Sequence, residues 1–322
     1  MSSDVTLAPC LDVDLDLPDR RDGKVRVSYA LGEARRLFVT TDRLSAFDRI
    51  IAGVPYKGQV LNQLAAWWFD KLADVVPNHV VAVPDPNVLI ARAATPLPVE
   101  VVVRGYITGV TTTSLWMPYS QGARHLYGHD LPDGLAKNER LPWPLITPTT
   151  KPPPGSAAHD EPLSLTEVTE RHLVAPDRWD RVTAAALELF RHGQRLADAA
   201  GLILVDTKYE FGVDADGELL LIDEVHTPDS SRYWMLDTYA ARLAAGQEPE
   251  SLDKEIVRRA LAEAGFSGDG DVPDLGPDVW TATSARYVDA FQRLTHLAFV
   301  PGQYPVQDRV AAALPTIIEE WS

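Results

Sequence analysis

The sequence predicts an α+β protein, and three observations carry that prediction. Short strand-like runs fill residues 23–98, a long helical segment covers Asp177 to Ala200, and a β-hairpin follows that helix directly. This mixed order lacks the regular alternation of a doubly wound sheet and therefore favours an α+β fold. At 322 residues the chain exceeds what one core usually holds, so two closely packed domains are expected.

The first third of the chain predicts strands followed by one helix. Residues 1–22 are acidic and form a lead-in, and strands are expected at Val25–Ala30 and Arg36–Thr41. An apolar stripe at helical spacing predicts a helix from Gln59 to Val75. The β-branched run Val99–Arg104 has the composition of a buried strand.

The middle of the chain predicts a long loop and then a helix. Residues 129–163 are rich in Pro, Gly and Asp, which predicts an irregular segment with a functional role. A helix should begin after Pro176 and stop at Gly201. Its apolar stripe consists of Val182, Ala186, Leu189, Gly193 and Leu196. The tail from Asp253 reads as mostly helical.

Composition excludes several classes of protein. The net charge of −16 argues against binding to a nucleic-acid backbone, which needs clustered Lys and Arg. No apolar run reaches the length of about 18 residues that spans a bilayer. Cys10 is the single cysteine, so an internal disulfide and a cysteine-built metal site are excluded. The lead-in does not resemble a signal peptide, and a cytoplasmic location is expected.

The hairpin at 202–225 concentrates charge. Alternation places Asp206, Lys208 and Glu210 on one face of the first strand. A turn centred between residues 215 and 216 predicts Lys208 opposite Asp223 and Glu210 opposite Leu221. A solvated edge hairpin is the alternative, but the apolar flanks of both strands favour central positions. Buried charges need partners or a metal, and carboxylates favour a hard cation such as Mg²⁺.

The segment after the hairpin is rich in groups that bind anions. Asp229, Ser230, Ser231 and Arg232 offer one acceptor, two hydroxyls and a guanidinium. Such a set suits a phosphate or a carboxylate. A helix N-cap with a structural ion pair is the alternative interpretation, and the neighbouring hairpin favours the rim of a site.

Four blocks of sequence resemble the SAICAR synthetase (phosphoribosylaminoimidazole-succinocarboxamide synthase) family. They are DGKVRVSY at 22–29, TTDRLSAFDRIIAGVPYKGQVLNQ at 40–63, PVEVVVRGYITG at 98–109 with further matches over 131–161, and GLILVDTKYEFG with LLLIDEVHTPDSSRYW within 201–234. The blocks occur in the same order as in the family. Together they cover most of residues 23–241.

The resemblance implies an ATP-grasp-like fold. A small N-terminal antiparallel sheet domain would lie over a larger α+β domain, with ATP in the cleft. The expected division is a lead-in at 1–22, a nucleotide-binding subdomain at 23–98, and a larger domain at 99–322 that carries a mobile loop at about 129–163. The protein would act on small molecules as a monomer or small homo-oligomer, without nucleic acid or membrane partners.

The resemblance also implies the reaction. With ATP and Mg²⁺, the enzyme would phosphorylate the carboxylate of an imidazole ribonucleotide, and the amine of L-aspartate would displace the phosphate to give a succinocarboxamide. Two alternatives stay open. One is a paralogue with the same chemistry on another heterocycle or amine, and the other is a non-catalytic nucleotide-binding protein. A protein kinase is disfavoured because the chain has no HRD or DFG set.

The resemblance assigns roles residue by residue. The metal ligands would be Glu210, Asp223 and Asp48. The catalytic residues would be Lys208, Asp48 and Lys151. ATP would contact Lys24, Arg26, Ala94, Leu97, Glu210 and Asp223. The substrate would contact Arg104, Thr111, Ser114, Asp206, Asp229, Ser230 and Arg232.

The chain also departs from the family pattern. Val27 stands where Asp is common, and three prolines follow Lys151. The segment 110–116 is longer than usual, so either Thr111 or Ser114 would supply the substrate hydroxyl.

Overall fold

The computed structural model describes residues 7–47, 49–151, 160–266, 268 and 270–322. The strands are β1 Arg21–Asp22, β2 Arg26–Leu31, β3 Arg35–Thr40, β4 Arg43–Ala46, β5 Arg49–Gly53, β6 Val80–Asp85, β7 Val88–Arg92, β8 Thr95–Tyr106, β9 His125–Leu126, β10 His129–Asp130, β11 Arg140–Thr150, β12 Leu202–Val213, β13 Leu219–Ile222 and β14 Ser231–Met235. The helices are α1 Lys57–Lys71, α2 Trp116–Ser120, α3 Leu165–Glu170, α4 Pro176–Ala199, α5 Leu236–Ala244, α6 Glu255–Glu263, α7 Pro277–Thr295 and α8 Val306–Trp321. The named sheets are antiparallel, which confirms the α+β prediction.

Contacts within the chain divide it into two compact units. The first contains residues 1–70, 79–93 and 252–322, and the second contains residues 71–78 and 94–251. The predicted division instead placed the whole tail with the larger domain. The tail joins the first unit because α8 buries its apolar face in that unit's core, as Val306, Val310 and Ile317 show.

The sheet of the first unit has the order β1-β2-β3-β7-β6. Alternate residues of β2 (Val27, Tyr29 and Leu31) are buried with the apolar face of α8. Val27 is fully buried in this core, a position that suits an apolar residue. An ionised carboxylate there would need a buried partner.

The sheet of the second unit positions the charged residues. Its strand order is β11-β8-β12-β13, and β14 pairs with the first half of β12 on the same side as β13. Helix α4 contacts this sheet and buries Val182, Ala186, Leu189 and Gly193 of its predicted stripe, whereas Leu196 is half-buried. The central strand β12 is therefore bordered on both edges along most of its length.

The predicted loop at 129–163 was partly wrong. Residues Arg140–Thr150 form β11, which pairs with β8. The three prolines in β11 are compatible with a strand because β11 lies at the sheet edge, where a missing N–H leaves no gap in the ladder. The proline cluster after Lys151 lies outside the described residues.

The predicted hairpin register was wrong by one residue. Glu210 pairs with Ile222, and Phe211 pairs with Leu221. The strand β13 also lies at the edge of the sheet rather than in its centre. It is buried nevertheless, and the backbone N–H of Leu221 donates to the carbonyl of Pro77 at 2.9 Å.

Among the described residues, no helix has both the length and the apolar character needed to cross a membrane.

Candidate functional site

Three charged residues form a row across three neighbouring strands. Arg104 on β8 pairs in register with Asp206 on β12, and Asp206 pairs with Arg232 on β14. Asp206 Oδ2 accepts from Arg232 Nη1 at 2.8 Å and from Arg104 Nη1 at 3.5 Å. The row brings together residues that are far apart in the sequence.

The row carries one positive charge in excess. Two guanidinium groups flank one carboxylate, and the side chains of Arg104 and Asp206 are only 8% and 9% exposed. Burial lowers the pKa of Arg104, while Asp206 acts in the opposite direction. Arg104 is held further by Thr147 Oγ1 at 2.8 Å and the Thr113 carbonyl at 2.9 Å. Fixed guanidinium groups that outnumber their carboxylate partners suit an anionic ligand.

The loop 109–114 borders the two arginines. A Cβ at Gly109 would come within 2.5 Å of Ser114 Cβ and 3.4 Å of Arg232 Nη2, and Gly109 has φ +97°. A side chain is therefore excluded here by both space and backbone conformation. Ser114 is buried and its hydroxyl donates to the Thr111 carbonyl at 2.6 Å, whereas Thr111 is exposed. Which hydroxyl meets a substrate stays a prediction.

Lys208 is the centre of a second charged cluster. Its ammonium group contacts Glu210, Glu100 Oε1 at 3.2 Å and Asp223 Oδ2 at 3.5 Å. Burial acts to lower the pKa of Lys208, but the three carboxylates outweigh burial and hold that pKa well above its usual value. Lys208 is therefore a fixed cation at neutral pH. The structure brings together the charged groups of the hairpin that the sequence placed on one face.

Lys151 completes this cluster by bonding the other carboxylate oxygen of Glu210. Three carboxylates and two ammonium groups leave one negative charge in excess. Asp206 and Lys208 share a face of β12 two residues apart, or about 7 Å at about 3.3 Å per residue. The sheet thus has a cationic row and a more anionic cluster side by side on one face.

Glu100 is the residue that sequence reasoning missed. It lies on β8 directly opposite Glu210, with a side chain 17% exposed. Burial, before any other cause, raises the pKa of Glu100, and Glu210 adds to that effect. The signal was present in the sequence, because Glu100 lies four residues before Arg104 and so on the same face of a strand.

The predicted Mg²⁺ ligands are only partly described. Within the described ranges, no group of three or more His, Cys, Asp or Glu residues is arranged to hold a metal ion. Asp48 lies outside those ranges, so its predicted role has no structural account. The donor set of Glu210 and Asp223, with Glu100 beside them, consists of oxygen ligands, which Mg²⁺ prefers. The residues fit the ion chemically, and the metal site stays a prediction.

Asp229 and Ser230 belong to the loop between β13 and β14. Thr227 organises this loop: its Oγ1 accepts from the N–H groups of Asp229 and Ser230, both at 3.3 Å. The N–H of Lys208 donates to the Ser230 carbonyl at 3.0 Å, which ties the loop to β12. The loop therefore places Asp229 and Ser230 beside the strand that carries Lys208.

The predicted ATP contacts lie in both units. Lys24 is exposed in the turn before β2, and Arg26 begins β2. Arg43 Nη2 holds this turn through the carbonyls of Gly23 at 3.0 Å and Arg26 at 3.2 Å. In the second unit, Ala94 precedes β8 and Leu97 is buried within it. Their roles stay predictions.

Comparison with known proteins identifies the family. The family model described as SAICAR synthetase matches residues 19–274. The chain belongs to the SAICAR synthetase family. The phosphoribosylaminoimidazole-succinocarboxamide synthase of Legionella pneumophila is 47% identical over 307 residues, covering 94% of this chain and 96% of that protein. The chloroplastic synthase of Arabidopsis thaliana is 45% identical over 298 residues, covering 92% and 71%.

Solved structures share the SAICAR synthetase fold. The structure of the Saccharomyces cerevisiae SAICAR synthase complexed with SAICAR matches with a TM-score of 0.77 and 33% identity, covering 90% of this chain and 99% of that one. The family resemblance expected from the four sequence blocks is thereby confirmed.

Proposed function

We propose that the chain is a SAICAR synthetase in purine biosynthesis. It uses ATP to join L-aspartate to the carboxylate of 5-amino-1-(5-phosphoribosyl)imidazole-4-carboxylate, giving the succinocarboxamide, ADP and phosphate. Family membership over residues 19–274 and the relatives' names support this proposal. The yeast relative was solved with SAICAR, the compound that this reaction forms.

The single observation that carries the proposal is the pairing of the cationic row with the Lys208 cluster. The substrate is anionic at both ends, through its phosphate and its carboxylate. Arg104 and Arg232, which outnumber Asp206, suit the phosphate. Lys208, about 7 Å further along the same face of β12, suits the carboxylate that reacts.

The reaction requires activation because a carboxylate has a poor leaving group. The γ-phosphoryl group of ATP passes to a carboxylate oxygen and leaves ADP. The aspartate amine then attacks the carboxyl carbon, the amide bond forms, phosphate departs and the nitrogen loses a proton. Every reactant is anionic, so cationic groups such as Lys208 and Lys151 must offset the accumulated charge in the transition state.

Glu210 and Asp223, together with Asp48, would hold Mg²⁺. When bound, the ion would offset charge on the ATP phosphates. Lys151 and Lys208 pair with both carboxylate oxygens of Glu210 and so fix the orientation of that side chain. Lys24 and Arg26 would contact the phosphates of ATP, and the backbone near Ala94 and Leu97 would meet adenine. Asp229, Ser230 and a hydroxyl of Thr111 or Ser114 would bind the ribonucleotide.

Further expectations accompany this function. The ATP-grasp-like relationship, ATP in the cleft, a cytoplasmic location and a monomeric or small homo-oligomeric state belong to the proposal. A paralogue that acts on another substrate and a non-catalytic binder are not favoured by the relatives.

The test is a reconstituted reaction. Purified protein is incubated with ATP, Mg²⁺, L-aspartate and the imidazole carboxylate ribonucleotide, and the product mass is recorded. A product with the mass of the ribonucleotide plus aspartate less water, formed together with equimolar ADP, supports the proposal. L-glutamate and L-asparagine in place of aspartate are the matched controls. ADP release without the aspartate adduct would exclude this function.

A further inference from the structure

We propose that His226 is a positioning residue, which fixes the loop 223–230 against the back of the candidate site. The inference rests on the proposed function, because that loop carries residues assigned to Mg²⁺ and substrate. His226 itself is fully buried. It would act through the loop and touch no reactant.

The first attachment of His226 is to β12. The Tyr209 hydroxyl lies 2.5 Å from Nε2 of His226, and the two ring centroids are 5.4 Å apart. Tyr209 lies between Lys208 and Glu210 in the strand, so its side chain points to the opposite face. His226 thus contacts β12 on the face opposite to the one that carries Lys208 and Glu210.

The second attachment is to α4. A Cβ at Gly193 would lie 2.2 Å from Cε1 of His226 and 2.6 Å from its Nδ1. The imidazole ring of His226 therefore occupies the space that the Cβ atom of any other residue at position 193 would fill. This explains a glycine in the middle of a long helix, where glycine is otherwise unfavourable.

A third attachment involves the backbone. The Tyr233 hydroxyl donates to the carbonyl of His226 at 2.7 Å. Both Tyr209 and Tyr233 are fully buried, so neither hydroxyl has water as an easy substitute partner. His226 is consequently fixed by two strands and one helix at once.

The loop needs this support because its backbone is strained. Asp223 has φ 70° and His226 has φ 51°, in a region that residues other than glycine seldom adopt. The far end of the loop meets β12 through the bond from the Lys208 N–H to the Ser230 carbonyl. Release of His226 should therefore shift Asp223 and Ser230 relative to Lys208.

Three variants test the inference. His226→Leu fills the buried space with an apolar side chain and removes the hydrogen bond to Tyr209. His226→Gln supplies an amide that can bond the Tyr209 hydroxyl instead. Gly193→Ala displaces the ring from the helix side. His192→Leu, at a partly exposed position of α4, is the matched control. The measurements are kcat and KM for each substrate per folded molecule, and amide hydrogen exchange of residues 223–231 without substrates.

We expect His226→Leu and Gly193→Ala to lower kcat/KM about 10- to 100-fold, as small misplacements of reacting groups do. Exchange in 223–231 should accelerate, and His226→Gln should restore both readouts in part. The control should change neither. If His226→Leu does not fold, Tyr209→Phe and Gly193→Ala take its place.

Unchanged kcat, KM and exchange in these variants would overturn the inference. So would a loss of folded protein with unchanged constants per folded molecule, because that describes a purely structural histidine. Wild-type protein without ligase activity would overturn the proposed function alone. Hydrogen exchange would then still decide whether His226 holds the loop.

Discussion

Replacement of Asp206 by Asn should destabilise the second unit strongly. The substitution keeps the size of the side chain but removes the one negative charge between Arg104 and Arg232. Arg104 is 8% exposed, so its guanidinium would stay buried without its carboxylate. The variant tests whether the charged row is a buried electrostatic unit or a screened surface contact.

The magnitude follows from the geometry. Removing one partner of a buried ion pair costs about 3–5 kcal/mol, and this carboxylate serves two guanidinium groups, at 2.8 and 3.5 Å. At about 2–4 °C per kcal/mol for a unit of this size, the Tm should fall by about 6–20 °C. The exposed pair of Asp133 and Arg124 is the control, since Asp133→Asn should cost about 0–1 kcal/mol.

The assay is thermal unfolding followed by circular dichroism, with and without inorganic phosphate. Phosphate should raise the Tm of Asp206→Asn more than that of the wild type, because Arg104 and Arg232 then face the anion without the neutralising Asp206 carboxylate. If Asp206→Asn lowers the free energy of unfolding by less than about 1 kcal/mol, the charged row is not a buried electrostatic unit, since a solvent-screened pair has an effect of that size. An equal phosphate effect in both proteins would refute the assignment of the row to an anion.

Three further predictions concern single side chains. Glu210→Gln should lower kcat by about 10²–10³-fold or more, because a charge at the site is lost while the side-chain volume is kept. Its Tm should fall less than that of Asp206→Asn, because Glu100 and Asp223 still pair with Lys208. Glu188→Gln, at an exposed position of α4, is the control, and near-normal turnover of Glu210→Gln would remove Glu210 from the site. Arg232→Ala should raise the KM for the ribonucleotide about 10- to 100-fold with little change in kcat, and an unchanged KM in steady-state kinetics would exclude a ground-state contact. Burial lowers the pKa of His226 to about 3, so the unfolded chain binds a proton below about pH 6.5 that the folded chain does not. The free energy of unfolding should therefore fall by up to about 1.4 kcal/mol per pH unit as the pH drops from 6.5 towards 3. Urea unfolding at a series of pH values should show that this free energy depends less steeply on pH in His226→Gln than in the wild type.

Local features of the sequence determined much of the fold. The stripe in Asp177–Ala200 predicted α4 to within one residue, because a helix depends on contacts between near neighbours. Alternation placed Lys208 and Glu210 on one face of β12, since the pleat has a fixed period of two. The motif at 201–234 also identified most of the charged residues that now lie together.

Tertiary structure decided the features that depend on which strands meet. Asp206 lies between Arg104 and Arg232 because β12 pairs with β8 and β14, and no local period specifies that choice. Glu100 entered the Lys208 cluster through the same pairing. Residues Arg140–Thr150 form a strand in spite of their three prolines because β11 lies at the edge of the sheet.

The one-residue error in the hairpin has the same cause. Turn residues alone allow more than one register, and the burial of β13 fixes the register that was found. Gly193 and His226 show the limit most clearly. Gly193 appeared in the sequence as a residue of the α4 stripe, and His226 as part of the motif at 201–234. The contact between the His226 ring and α4 exists only in the folded chain. Sequence therefore determined the chemical groups and their faces, while long-range packing determined their partners.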